Sequence, residues 1–263
     1  MHGIDVKQLI AVVQDAGDKI MEVYETDFTV ETKEDESPLT AADKASHTVI
    51  QSRLAQLYPD IPILSEEGKH LSYDERKHWE RFWLVDPLDG TKEFVKRNGD
   101  FTVNIALIEQ GVPVLGVVSV PVEGIVYVGV SGEGAYKIDR EGTKEPIHVQ
   151  FALDDALTLV ESRSHPSPEL ESLLVKLQTR FSDIRRIQRG SSLKICAVAE
   201  GSAHIYPRMG PTMEWDTAAG QAVVEAAGGL MLKLDGTRLT YNKENLKNDY
   251  FIVVSDQRIT ADM

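Results

Sequence analysis

One cysteine, Cys196, is all that the 263 residues contain. An internal disulfide and a cysteine-based zinc cluster are therefore excluded, and the residue reads as a small buried hydrophobe. No uncharged apolar run approaches the ~18–20 residues that a membrane-spanning helix needs. Near the start, Asp5 and Lys7 interrupt Ile4, Val6 and Leu9, which does not read as a secretion signal, so the cytoplasm is the expected address. No basic amphipathic helix argues for attachment to a membrane surface. Basic residues are scarce as well: 28 Lys and Arg stand against 42 Asp and Glu, a net charge of −14. That surplus repels a phosphate backbone and excludes a nucleic-acid-binding module. What remains, at 42% hydrophobic and 27% charged residues, is the composition of a folded globular protein.

The acidity is concentrated in one half. Residues 1–150 carry 15 basic and 27 acidic side chains, whereas residues 151–263 carry 13 and 15. Within the second half, the stretch 162–208 holds eight cations against four carboxylates. Such a local excess is either a solvated face or an anion pocket, and composition does not choose between them.

Hydrophobic periodicity divides the chain into alternating elements. Residues 4–25 form an amphipathic helix, with Ile10, Val13, Ile20, Met21 and Tyr24 near the 3.6 period. An acidic loop at 31–36 leads to Ser37-Pro38-Leu39-Thr40-Ala41-Ala42-Asp43, the start of a second helix. Residues 61–64 and 82–85 are short buried strands, each followed at once by carboxylates. From 101 to 138, four β-rich runs separated by glycine turns make a meander. The second half returns to alternation: strands at 157–161, 184–188 and 204–207, helices at 168–179, 192–199 and 216–227, then a hairpin turning at Asp235-Gly236 and a last strand at 251–254. No repeat or linker divides the chain. A single α/β domain over 1–263 is expected, in two closely packed α+β sub-layers at 1–150 and 151–263.

The chemistry lies in carboxylates at strand ends. In Trp83-Leu84-Val85-Asp86-Pro87-Leu88-Asp89-Gly90-Thr91, an apolar strand ends in Asp86, Pro87 bends the chain, and Gly90 opens a new turn. That turn can aim two carboxylates and the Leu88 carbonyl at one point, an all-oxygen ligand set suited to Mg²⁺, Mn²⁺ or Ca²⁺ rather than zinc. Read alone, it is equally a polar turn with an Asx cap. Ser65-Glu66-Glu67-Gly68 follows another buried strand, at the position where open α/β sheets build their sites. Asp216, in Glu214-Trp215-Asp216-Thr217, stands at a helix start, where an N-cap role is the plain alternative. Asp43 has a similar alternative, with Thr40 capping and Asp43 complementing the helix dipole.

Together these segments resemble the lithium-sensitive, magnesium-dependent phosphatases of the inositol monophosphatase superfamily. The likeness rests on Asp86-Pro87-Leu88-Asp89-Gly90-Thr91 and Trp215-Asp216-Thr217-Ala218-Ala219-Gly220, with Glu66-Glu67 where the family keeps its acidic pair. It covers almost the whole chain in the expected order. It implies a layered αβαβα sandwich and metal ligation by Glu66, Asp86, the Leu88 carbonyl, Asp89 and Asp216. It also implies two or three Mg²⁺ ions, with Mn²⁺ able to substitute and Li⁺ and Ca²⁺ inhibitory.

Within the superfamily the likeness is to the bacterial 3′(2′),5′-bisphosphate nucleotidases. It is carried by Ser37-Pro38-Leu39-Thr40-Ala41-Ala42-Asp43, Asp89-Gly90-Thr91-Lys92-Glu93-Phe94, the stretch 96–106, Ser162-Arg163-Ser164-His165, Gly190-Ser191-Ser192-Leu193-Lys194 and Tyr206-Pro207-Arg208-Met209-Gly210-Pro211. Inositol phosphatases typically read Thr-Asn-Phe after the Gly-Thr step and lack the Lys194 and Arg208 pair. The resemblance implies hydrolysis of the 3′-phosphate of adenosine 3′,5′-bisphosphate to AMP, and of 3′-phosphoadenylyl sulfate, within sulfate assimilation. Asp43 would orient the Thr91 hydroxyl, which takes a proton from the attacking water. The amides of Gly90 and Thr91 would receive the scissile phosphate, Lys194 and Arg208 the 5′-phosphate, and Ser191, His165 and Lys92 would line the nucleotide site. Glu66, Asp89 and Asp216 would also contact substrate. An inositol or sugar monophosphatase with the same metal chemistry is the alternative reading. A non-catalytic binding protein would require a missing side chain in this set, and all are present.

Overall fold

Phe82 to Val85 are four successive apolar residues, the pattern of a strand covered on both faces. They lie within such a strand in the computed structural model, which describes residues 3–26, 30–32, 38–151, 155–163 and 168–260. The chain begins with helix α1 (Val6–Tyr24), an antiparallel pair of β1 (Val30–Thr32) and β2 (Pro38–Thr40), and helix α2 (Ala41–Leu57). A seven-stranded sheet follows in spatial order β3 (Ile63–Ser65), β4 (Arg81–Asp89), β5 (Thr102–Glu109), β6 (Val112–Val120), β7 (Ile125–Val130), β8 (Gly134–Ile138) and β9 (Lys144–Ile147). Only β3 and β4 are parallel in it, and short helices α3 (Tyr73–Arg76) and α4 (Thr91–Val95) flank β4 in sequence. The rest of the chain contributes β10 (Ala156–Ser162), α5 (Pro168–Gln178), β11 (Asp183–Arg189), α6 (Leu193–Ala199), β12 (Ile205–Arg208), α7 (Glu214–Ala226), β13 (Leu230–Lys233) and β14 (Phe251–Val254). Its five strands form a second sheet in the order β11-β10-β12-β14-β13.

Strand alternation sorts the core into layers. Trp83 and Val85 of β4, with Val103, Ile105 and Leu107 of β5, pack under α1 and α2 through Leu9, Val12, Val13, Ile20, Ile50 and Leu54. Phe82, Leu84, Ala106 and Ile108 face the other way, onto α6 and α7 and one face of the second sheet at Val160, Tyr206 and Val253. Helix α5 covers the remaining face through Leu170, Leu173, Leu174 and Leu177. The order is α, β, α, β, α, as expected. Helix α7 lies very close to the seven-stranded sheet. Gly116 and Gly129 are paired in β6 and β7, and a Cβ on either would collide with the α7 backbone at Ala219 or Val223. The small residues Ala218, Ala219 and Ala222 permit the same approach from the helix side.

The meander at 101–138 is present as β5 to β8, and the glycine turns fall between its strands. Several elements differ from the expectation. Strands β1 and β2 pair where a loop and a helix start are expected, the short helix α3 is an addition, and β4 and β9 depart as well. Strand β4 does not stop at Asp86 but runs to Asp89, and its register with β5 jumps from Asp86↔Asn104 to Asp89↔Thr102. Pro87 has no N–H to give the ladder, so a bulge carries the strand past it instead of ending it. Strand β9 was not foreseen; its side chains at Lys144, Glu145 and Pro146 are exposed, so no apolar run announces it.

Candidate active site

The bulge in β4 is what presents the carboxylates. The Leu88 N–H donates to Asp86 Oδ1 at 3.0 Å, and Ser46 Oγ donates to the Pro87 carbonyl at 2.7 Å, tying the bulge to α2. Leu88 is thereby left without a register partner in β5. Beside it, the Glu66 N–H donates to the Val85 carbonyl at 3.1 Å, and the Gly68 N–H closes a turn on the Ser65 carbonyl at 3.0 Å. This hangs Glu66 on the edge of β4, next to Asp86. Asp216 arrives from the first turn of α7, where its Oδ2 accepts the Met213 N–H at 2.9 Å. It therefore serves the helix start from its third position, one oxygen only. Carboxylate oxygens of Glu66, Asp86 and Asp216 lie within 4.8 Å of one another. Asp89 lines the same cavity, with Oδ2 accepting from Ser192 Oγ at 3.1 Å.

Three like charges at this separation oppose one another in a medium of low dielectric. Burial first, then Glu66, Asp89, Asp216 and Asp43, pushes the Asp86 carboxyl well above its ordinary range. Burial first, then Asp89 and Glu66, does the same to Asp216, outweighing the Met213 N–H and Arg208. Burial raises Asp89 too, while Lys194 and Ser192 hold it back. A cluster that resists ionisation by itself, built of oxygen donors alone, suits a hard dication that takes the place of the protons.

The cavity also has cations in its lining. It has a volume of about 240 Å³, and Lys194 and Arg208 line it together with Glu66, Asp86, Asp89 and Asp216. Lys194, on α6, is only 5% exposed, and its Nζ donates to the Ser191 carbonyl at 2.7 Å. Burial draws its pKa down to about 8, against the pull of Asp89. Arg208 ends β12, where its guanidinium donates to the Pro211 carbonyl at 2.9 Å and its buried Nε has no hydrogen-bond partner among the described residues. The other six cations of the 162–208 stretch are not among the described residues that line the cavity. Arg163 and Arg189 lie within ion-pair distance of Asp100, and Arg186 binds Glu161 and Glu171. Arg180 binds backbone carbonyls near the C-terminus. Both of the composition's alternatives are realised, at different residues.

Gly90, Thr91 and Lys92 line the cavity where α4 begins. Gly90 has φ +96°, and any side chain there would collide with Ser191. Asp43 is buried in the first turn of α2, close enough to be felt at Asp86. Ser191 lines the cavity as well, and its hydroxyl sits between the carbonyls of Asp89 (2.9 Å) and Asp100 (2.7 Å), fastening two loops together. His165, the acidic loop at 33–36 and the Thr40 side chain lie outside the described residues. Sequence reasoning passed over Ser192, which also reaches the Asp216 carbonyl at 2.9 Å and accepts from Asn104 Nδ2 at 3.0 Å. A signal for Asn104 existed: it is a polar residue inside the apolar run of β5, on the strand beside Asp86.

This geometry has relatives. The model of the inositol monophosphatase family matches residues 5–258. The chain belongs to that family. It is 48% identical to the 3′(2′),5′-bisphosphate nucleotidase CysQ of Salmonella typhimurium over 251 residues, covering 94% of this chain and 98% of that protein. The CysQ nucleotidase of Escherichia coli K12 is 47% identical over 249 residues, again covering 94% and 98%. Among solved structures, CysQ from Bacteroides thetaiotaomicron superposes with a TM-score of 0.85 at 42% identity, covering 97% of this chain and all of that one. The layered fold of this inositol monophosphatase family member is thus the fold of its relatives, and the family is metal-dependent.

Proposed function

We propose that this chain is a divalent-metal-dependent 3′(2′),5′-bisphosphate nucleotidase. It would hydrolyse the 3′-phosphate of adenosine 3′,5′-bisphosphate to AMP and phosphate, and accept 3′-phosphoadenylyl sulfate as well. The observation that carries this reading is one cavity lined by groups of both charges, the carboxylate cluster and, beside it, the buried Lys194 with the half-buried Arg208. A monophosphate would use only one of these groups. The CysQ relatives support the choice of substrate.

Glu66, Asp86, the Leu88 carbonyl, Asp89 and Asp216 would hold two or three Mg²⁺ ions, or Mn²⁺ in their place. When bound, the ions supply an activated water and offset the charge developing on the phosphoryl group. The chain's own residues do the rest. Thr91 would take a proton from the attacking water as its own hydroxyl proton passes to Asp43. The amides of Gly90 and Thr91 would donate to the scissile phosphate. Lys194 and Arg208 would fix the 5′-phosphate, the guanidinium as a fork, which sets the 3′ ester against the carboxylate end. Glu66, Asp89 and Asp216 would meet the substrate through their edge of the cavity, and Lys92, Ser191 and His165 would flank the nucleotide. We further read residues 1–263 as one catalytic unit acting in the cytoplasm, with Li⁺ and Ca²⁺ inhibitory.

The test is product analysis with adenosine 3′,5′-bisphosphate. AMP and one phosphate should appear with Mg²⁺, vanish with a chelator, and fall as Li⁺ is added. Release of the 5′-phosphate, or turnover unaffected by chelation, would contradict the reading.

A further inference from the structure

Lys194 can hold a phosphate in register with the carboxylates only if the loop that leads into its helix, 190–192, is held in place. That loop contains a strained residue. Ser191 has φ +48°, a left-handed conformation that a non-glycine residue keeps only where its surroundings enforce it. The enforcing contacts come from the opposite sheet, at the Asp89 carbonyl (2.9 Å) and, in greater number, at Asp100.

Asp100 is delivered by its own local sequence. After α4 the chain reverses through Arg97 (φ +54°) and Gly99 (φ +81°), and Asn98 Oδ1 accepts the Asp100 N–H at 3.0 Å. Phe94 and Phe101, on either side of this reversal, pack on Tyr24 with ring centroids 5.0 and 5.1 Å away. The turn is therefore pinned from below, and the Asp100 side chain, 5% exposed, points across the gap between the two sheets.

Three groups of the second sheet meet it there. The Gly190 N–H donates to Asp100 Oδ2 at 2.8 Å. Arg163 and Arg189, at the ends of the adjacent parallel strands β10 and β11, approach the same carboxylate at 3.2 and 3.6 Å. The Asp100 carbonyl also accepts from Ser191 Oγ at 2.7 Å. The fit leaves no slack: a Cβ on Gly190 would stand 2.6 Å from the Asp100 carbonyl oxygen and 2.7 Å from Asp100 Cβ. The next link is the 2.7 Å hydrogen bond from Lys194 Nζ to the Ser191 carbonyl. Asp100 is close enough to help hold Lys194 in its charged form.

We infer that Asp100 is a positioning residue for the second phosphate: by anchoring Gly190 and Ser191 it places Lys194 for the substrate's distal anion, and so sets affinity for a bisphosphate over a simple monoester. The inference rests on the function proposed above and deepens it. Asp100 does not line the cavity. Its effect passes through the loop.

The experiment compares adenosine 3′,5′-bisphosphate with p-nitrophenyl phosphate, a monoester with nothing for Lys194 to hold, at saturating Mg²⁺. In Asp100→Ala, KM for the bisphosphate should rise tenfold or more while its kcat stays within twofold, and turnover of p-nitrophenyl phosphate should not change. Asp100→Asn keeps an acceptor for the Gly190 N–H and should restore most of the affinity. Equal loss on both substrates, or a bisphosphate KM within twofold of the parent, would overturn the inference. Should Asp100→Ala fail to fold, Gly190→Ala, which pushes the loop away from Asp100, must raise the same KM or the inference falls. If the parent enzyme itself leaves the bisphosphate uncleaved, it is the proposed function that fails.

Discussion

The two ends of the cavity are built by different means. The carboxylate end is local in the chain. Asp86 and Asp89 sit on one bulged strand, and Glu66 is hung on that strand by a backbone hydrogen bond. Only Asp216 is brought from afar, on a helix whose close approach depends on Gly116 and Gly129. The cationic end is assembled from α6 and β12 and held through contacts with the first half of the chain, at Asp89 and Asp100. Charge follows the same division. The first end stores repulsion that a cation relieves, whereas the second stores desolvated positive charge that an anion relieves.

If the ends are separable in this way, substitutions at each should produce different kinetic losses. The largest effect belongs to Asp86→Asn, which should lower kcat/KM on every substrate by on the order of 10³. The same change removes a buried like charge, so the metal-free variant should melt at a higher temperature than the parent at neutral pH. Differential scanning calorimetry with a chelator checks the second outcome. At the opposite end, Arg208→Ala removes a charge-assisted fork, and KM for adenosine 3′,5′-bisphosphate should rise by about 10–100-fold. Turnover of p-nitrophenyl phosphate should survive that change.

Acidity separates the ends further. The Asp86 and Asp216 carboxyls have folded-state pKa values above the unfolded ones. Their contribution to stability is therefore present at low pH and lost as pH rises through the raised values. Bound Mg²⁺ takes over from the protons, so the melting-temperature gain on adding Mg²⁺ should grow from pH 5 to pH 8; a gain that shrinks over this range would contradict the cluster's electrostatics. At the cationic end, Lys194 loses its proton near its lowered pKa of about 8. The bisphosphate KM should accordingly climb above that pH, and the climb should be missing in Lys194→Met. The smallest effect is at Ser192→Ala, which removes hydroxyl contacts to Asp89 and Asp216 and should cost about three- to tenfold in kcat.

How much of this was legible in the sequence divides along the same line. Glu66, Asp86, Asp89 and Asp216 follow apolar runs or open a helix, and such local patterns survive without knowledge of the fold. The β meander was equally plain, since its runs alternate with glycine turns. The bulge was not, because Pro87 read as an end when it is a skipped rung. Nor could the charge of 162–208 be sorted residue by residue. Arg163, Arg186 and Arg189 look the same as Arg208 in composition, and only their carboxylate partners, 15 to 89 positions away in the chain, distinguish them. The Ser192 hydroxyl was invisible for a similar reason: its partners are Asp89, Asn104 and Asp216, from three different elements.

Substrate preference tests the central claim, a single cavity whose two ends grip two anionic groups, most directly. With Mg²⁺ saturating, kcat/KM for adenosine 3′,5′-bisphosphate should exceed that for inositol 1-phosphate by about 10²-fold or more, the worth of the Lys194 and Arg208 contacts. Faster cleavage of inositol 1-phosphate would contradict the account.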